Sequence, residues 1–208
     1  MIKRCVIITA FLDCKLSEIY TKEESDYVIC ADGGITIAEE SGVIPDIVLG
    51  DLDSTSCVNE KYNFIKFPKE KDDTDTLLCL KYGMEKGFKD FVIIGGIGGR
   101  FDHTLANIQT LAYALSHNAK ASIITKDAIC QMISDDESIK LEKKEEFYLS
   151  LFSYSQKCEG ITIEGVKYCL ENASLTNSFP LGVSNEFKDD VAKISIKKGT
   201  LLVVLSRE

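Results

Sequence analysis

Apolar residues never run for long in this chain. The longest uninterrupted aliphatic stretch is Leu201–Leu205, far short of the roughly 20 apolar residues that cross a bilayer, so no transmembrane helix is expected. Positive charge is the scarcer sign, with 24 Lys and Arg against 33 Asp and Glu and a net charge of −9. Sequence-independent binding to nucleic acid or anionic lipid needs a cationic surface, so neither is expected as a partner. The eight cysteines include no Cys-x-x-Cys pair, and Cys5, Cys30 and Cys130 sit inside apolar runs. That pattern argues against structural zinc and for buried thiols in a reducing, cytoplasmic setting. The opening Lys3-Arg4 followed by Cys5 to Leu12 has the charge and apolarity of a weak leader but lacks a small-residue cleavage site. It reads better as a first buried strand.

What is present supports a packed core: 208 residues, 45% hydrophobic and 27% charged, near the globular average and enough for one or two domains. The texture changes near residue 127. Before it, Val6 to Thr9, Tyr27 to Ala31, Ile47 to Leu49, Phe64 to Phe67, Phe91 to Ile94 and Ala121 to Thr125 read as buried strands. Helical spacing follows Thr74 (Leu77, Leu78, Lys81, Met84) and Asp102 (Leu105, Ile108, Leu111, Ala112, Leu115), each opened by a capping-type residue. Strands alternating with helices predict a parallel α/β sheet over 1–126. Beyond it, short alternating runs broken by Gly160, Gly165, Gly182 and Gly199 predict an antiparallel β domain over 127–208, with Ser134 to Lys144 as a charged hinge.

Chemistry concentrates where the first-half strands end, which is where a doubly wound sheet binds its ligands. Tyr27 to Ala31 delivers Asp32-Gly33-Gly34, and Ile47 to Leu49 delivers Gly50-Asp51-Leu52-Asp53-Ser54. Carboxylates so close repel unless a divalent cation sits by them, and an oxygen-only set suits Mg²⁺. Next comes Lys71-Asp72-Asp73-Thr74-Asp75 at a helix start, then Gly95-Gly96-Ile97-Gly98-Gly99-Arg100-Phe101-Asp102-His103 entering another. A helix N-terminus beside an arginine is a ready anion site. Taken singly, an Asp-x-Asp or Asp-Gly-Gly is usually a turn, and the glycine loop matches neither the P-loop nor the dinucleotide pattern. Four such loops at one sheet edge together describe a metal and polyphosphate site.

These four motifs, in this order, resemble those of the thiamine pyrophosphokinase family. Gly182-Val183-Ser184-Asn185-Glu186-Phe187 extends the similarity into the second half, so coverage runs from about Ala31 almost to the C-terminus. The resemblance implies a Rossmann-like parallel-sheet domain followed by an antiparallel β-sandwich domain. It also implies a homodimer with its active sites between subunits. The implied reaction moves the β,γ-diphosphate of ATP to the thiamine hydroxyl, leaving AMP. By the same resemblance Asp51, Asp53 and Asp75 hold Mg²⁺, while Asp32, Gly33, Gly34, Lys71, Asp72, Thr74, Gly98 and Gly99 shape the ATP site. Arg100 neutralises developing charge, Asp102 anchors the loop or orients the attacking hydroxyl, and Ser184 and Asn185 contact thiamine. Some family members stack thiamine on a tryptophan in the closing strand; this chain has no Trp and offers Val203 near that place. Alternatives are another Mg-dependent pyrophosphokinase, a nucleotide-sugar transferase, or a non-catalytic nucleotide- or thiamine-binding regulator.

Overall fold

A computed structural model of the chain describes residues 4–50, 62–67 and 72–207. It divides into two compact units, 1–126 and 127–208. The architecture is mixed α/β.

The first unit is built on strands that are apolar on both faces. β1 (Cys5–Ile8), β2 (Tyr27–Ala31), β3 (Ile47–Gly50), β4 (Phe64–Lys66), β5 (Asp90–Ile94) and β6 (Lys120–Ile124) pair in the order β6-β5-β1-β2-β3-β4. Every pairing among them is parallel. Covering both faces of such a sheet takes helices on both sides, which explains why β1 and β3 are buried at every position. One face carries Val6, Ile8, Val28, Cys30 and Val48 against Ile35 and Ala38 of α1 (Gly34–Glu40) and against Leu16 and Tyr20. On α2 (Asp75–Glu85) the buried residues are Thr76, Cys79, Leu80 and Gly83. On α3 (Phe101–Ser116) they are Asn107, Thr110, Leu111 and Ala114. Both sets repeat at i, i+3, i+4 and i+7, one buried stripe per helix. At Gly83 the fit is tight: a Cβ there would stand 2.6 Å from the Phe91 ring and 3.0 Å from Cys5 Sγ.

The chain moves outward from β1 through β2 and β3 to β4, then returns to place β5 on the other side of β1. Strand order therefore reverses between β1 and β5, and the loops leaving those strands splay apart to open a crevice.

A buried ionic network fastens the start of this sheet. Arg4 grips Asp26 through Nε to Oδ1 at 2.7 Å and Nη2 to Oδ2 at 3.0 Å. The Tyr20 hydroxyl and the Glu23 amide also donate to Asp26 Oδ2, at 2.9 and 3.0 Å. Burial alone would push the Asp26 carboxyl up, but the hydrogen bonds from Arg4, Glu23 and Tyr20 outweigh it and hold the group below its ordinary value. Burial pushes the thiols of Cys5 and Cys30 up to about 12 and that of Cys130 up to about 11. These are packing residues, not nucleophiles.

The second unit is antiparallel throughout. β7 (Ala128–Ser134), β9 (Phe147–Ser153), β12 (Gly182–Asn185) and β14 (Thr200–Arg207) pair in the order β12-β9-β14-β7. A second sheet joins β8 (Ser138–Glu142), β10 (Lys157–Glu164), β11 (Leu170–Thr176) and β13 (Val191–Ser195) in the order β11-β10-β13-β8. Both contribute to one core, with Leu149, Leu151, Leu201, Val203 and Leu205 from the first and Ile161, Ile163, Leu175 and Ile194 from the second. The segment Ser134 to Lys144, expected as a hinge, instead contains β8, paired along its length with β13. Its charges misled because they lie on the outward positions: Lys140 and Glu142 are exposed while Leu141 is buried.

Candidate active site

A cavity of about 290 Å³ opens at the crevice between β1 and β5. Four loops of the first unit build its walls.

After β1 come Thr9, Ala10 and Phe11, all lining the cavity. The Thr9 amide donates to the Ile94 carbonyl at 3.1 Å and its hydroxyl lies 2.9 Å from the same oxygen, so the ends of β1 and β5 are tied together. The Gly96 amide donates to the Phe11 carbonyl at 2.9 Å. Gly95 has φ +80°, and a Cβ there would stand 2.2 Å from that carbonyl, so only glycine lets the two loops interlock.

After β2 comes Asp32, held at φ 44° with its amide donating to the Leu49 carbonyl at 2.7 Å. The strained backbone turns its carboxylate into the cavity wall, and Gly50 makes room: a Cβ at Gly50 would stand 3.0 Å from Asp32 Oδ1. Gly33 and Gly34 serve the approach of α1 and do not line the cavity. A Cβ at Gly34 would stand 2.2 Å from the Ile8 carbonyl.

The third wall is the start of α2. Thr74 caps the helix by accepting from the Leu77 amide at 3.3 Å, and Thr74, Asp75 and Thr76 all line the cavity. The positive end of the helix thus faces the space where an anion would sit. Asp73 is pinned by Lys81 at 2.7 Å, while Asp72 is exposed and outside the lining.

The fourth wall follows β5: Gly96, Gly98 and Arg100, then His103 and Asn107 of α3. Asn107 is buried and donates from Nδ2 to the Gly96 carbonyl at 2.7 Å, and the Gly98 amide donates to Thr104 Oγ1 at 3.1 Å. Arg100 reaches Asp102 with Nη2 to Oδ2 at 2.6 Å and Nε to Oδ1 at 3.2 Å. Asp102 Oδ1 also accepts from the His103 amide at 3.0 Å. The Arg100 hydrogen bonds hold the Asp102 carboxyl below its ordinary value and raise the guanidinium in turn. α3 begins at Phe101 with Arg100 in the capping position. Asp102 is therefore a first-turn residue that aligns Arg100, and not the cap its sequence position suggested.

Of the residues expected from sequence, Asp32, Thr74, Asp75, Gly98 and Arg100 meet in this cavity. Gly99 lies beside it against the Phe11 ring. Asp51, Asp53 and Lys71 lie outside the described residues. From sequence alone Thr9 and Phe11 have no place in the site, and Asn107, which closes the glycine-loop motif, has no role of its own. In sequence Thr9 and Phe11 are a strand end and an apolar residue, and only the central place of β1 in the sheet brings them to the crevice.

The donor set is oxygen-rich, with two carboxylates and three threonines, and it fits a hard divalent cation shared with a polyphosphate. Among the described residues no group of three or more metal-binding side chains occurs. Mg²⁺ typically takes only one or two carboxylates and completes its shell with phosphate oxygens and water, so the two acids here suffice in kind.

In the second unit Ser184 adopts φ 59°, and its amide donates to Ser150 Oγ at 3.0 Å. Asn185 Oδ1 accepts from the amides of Tyr168 and Glu186, each at 3.0 Å, and Nδ2 donates to the Tyr168 carbonyl at 2.8 Å. Asn185 thereby clamps the Tyr168 main chain to the start of the Glu186 loop. Val203 points into the core and is buried, so it offers no stacking surface.

Fold and cavity define a class: an α/β protein whose parallel sheet opens, at its switch point, a cavity lined by hydroxyls, carboxylates and a helix N-terminus. Comparison with known proteins resolves the class. Residues 20–123 match the model described as thiamin pyrophosphokinase, catalytic domain, and residues 136–201 match thiamin pyrophosphokinase, vitamin B1 binding domain. A thiamine pyrophosphokinase of Bacillus subtilis is 32% identical over 91% of both chains. The crystal structure of thiamine pyrophosphokinase from Bacillus subtilis superimposes with a TM-score of 0.89 at 30% identity, covering 99% of this chain and 100% of that one. A thiamin pyrophosphokinase family protein from Enterococcus faecalis gives a TM-score of 0.84 at 26% identity, with 99% of each chain covered. The chain belongs to the thiamin pyrophosphokinase family.

Proposed function

We propose that the protein transfers the β,γ-diphosphate of ATP to the hydroxyl of thiamine, giving thiamine diphosphate and AMP. The observation that carries this reading is the convergence of Asp32, Thr74–Thr76 and Arg100 on one cavity at the strand-order reversal, in a chain of this family. Diphosphoryl transfer asks mainly for positioning and for compensation of charge on phosphate oxygens.

The geometry supports the following roles. The N-terminal amides of α2, with the Thr74 and Thr76 hydroxyls, would donate to the phosphate chain. Arg100, held in a two-pronged grip by Asp102, is pre-aligned to follow charge as it develops on the transferred group. Asp75 would hold Mg²⁺, with Asp51 and Asp53 as further ligands and Asp32 shaping the nucleotide side together with Lys71. Held by these carboxylates, Mg²⁺ would supply charge compensation for the phosphates. A loose transition state leaves little need for a strong base at the thiamine hydroxyl. Ser184 and Asn185 serve the thiamine side, Asn185 by fixing the main chain around Tyr168. We read the first unit as Rossmann-like, the second as a β-sandwich, and the assembly as a cytoplasmic homodimer with sites between subunits.

Phosphorus NMR of a reaction containing ATP, Mg²⁺ and thiamine tests the reaction directly. Thiamine diphosphate and AMP should appear in equal amounts; ADP with thiamine monophosphate, or no thiamine-dependent product from folded protein, contradicts the proposal.

A further inference from the structure

Phe11 is the one large apolar side chain among the described residues that line the cavity. It is large, apolar and 39% exposed. One side of its ring is fixed by the glycine loop: a Cβ at Gly98 would stand 2.9 Å from Cε1, and a Cβ at Gly99 would stand 2.9 Å from Cε2. Both glycines have positive φ, +97° and +59°, so the loop curls against the whole width of the ring. Behind it, the Phe11 carbonyl accepts from the Gly96 amide, and the Gly96 carbonyl accepts from Asn107. The ring is therefore held at both its main chain and its edge while still facing the cavity. A side chain fixed in this way loses little freedom when a flat ligand settles on it.

We infer that Phe11 is the stacking platform for the purine base of the nucleotide. This rests on the reading of the cavity as the nucleotide site. The other walls supply phosphate chemistry, and the base is the part of ATP with a π-face. Thiamine, the other ring-bearing substrate, is assigned to Ser184 and Asn185 of the second unit. Stacking is tolerant of base identity because every base has a π-face, so Phe11 contributes affinity more than choice among purines.

Titration calorimetry of the full-length protein with Mg·ATP and with Mg·triphosphate, the inorganic chain without a base, tests the inference. Phe11→Leu keeps apolar bulk against Gly98 and Gly99 but removes the π-face, and Phe11→Trp restores it. Phe11→Leu should weaken Mg·ATP binding by about tenfold, ~1.4 kcal/mol, and leave triphosphate binding within about twofold. Phe11→Trp should bind ATP as tightly as the parent. Equal loss of ATP and triphosphate in Phe11→Leu would make Phe11 a loop-packing residue and overturn the inference. A change confined to the thiamine KM would overturn it in favour of the acceptor ring. Unaltered ATP binding in both variants sinks the inference alone, whereas a parent protein that binds neither ligand removes the nucleotide reading with it.

Discussion

The two units solve the problem of presenting polar chemistry in opposite ways. In the first, glycine and main chain do the structural work: Gly34, Gly50 and Gly95 let backbones approach where a Cβ would collide, and Gly96 makes room for the Asn107 amide. Arg100, Asp75 and the α2 terminus line the cavity. In the second, the candidate residues are themselves structural. Asn185 spends its amide on Tyr168 and Glu186, and Ser184 is held by Ser150. Substitutions should therefore separate: chemistry without stability loss in the cavity, stability loss coupled to function at Asn185.

The largest effect is expected at Asp75. Asp75→Asn should lower turnover by about a thousandfold or more while the protein still folds, since the residue lines the cavity and is not part of the buried core; AMP release and circular dichroism measured on the same sample check it. Asp26 marks the contrast inside the first unit. Asp26→Asn leaves Arg4 with a weakened partner and should cost ~3 kcal/mol of stability, read by urea unfolding at neutral pH. Because the Asp26 carboxyl is held below its ordinary value, its contribution is complete above about pH 4 and is lost as pH falls through the lowered value. The difference in stability between parent and variant should therefore shrink on acidification. Asn185→Ala should cost about 1–2 kcal/mol, because the Tyr168 and Glu186 main-chain groups lose their partner, and should raise the thiamine KM while sparing that of ATP. The smallest effect belongs to Asp102→Asn. Both members of its pair with Arg100 are exposed, so the melting temperature should stay within about 1 °C, while kcat falls by about tenfold as Arg100 loses its alignment.

Much of this was legible in the residues. Uninterrupted apolar runs such as Cys5–Ile8 and Phe91–Ile94 announce two-sided burial, and the acids and glycines that follow β2, β3 and β5 announce a ligand edge. What could not be read was lateral order. Nothing in the run from Cys5 to Phe11 says that β1 lies between β2 and β5, so Thr9 and Phe11 look like ordinary core and loop. Asn107 reads as a polar residue on a helix, and its bond to Gly96 emerges only once α3 is laid against the β5 loop. Asp102 looks like a helix cap because acids commonly are, yet the helix starts one residue earlier and the carboxylate turns to Arg100. The Ser134 to Lys144 charges concealed β8 because a strand with one wet face shows only half of its residues to the core.

A crystal structure of the protein with Mg²⁺ and a non-hydrolysable ATP analogue tests the central claim most directly. The account predicts the triphosphate in the crevice between β1 and β5, within hydrogen-bond reach of the α2 N-terminal amides and of Arg100. A nucleotide bound elsewhere, with those amides and that guanidinium turned to solvent, would contradict it.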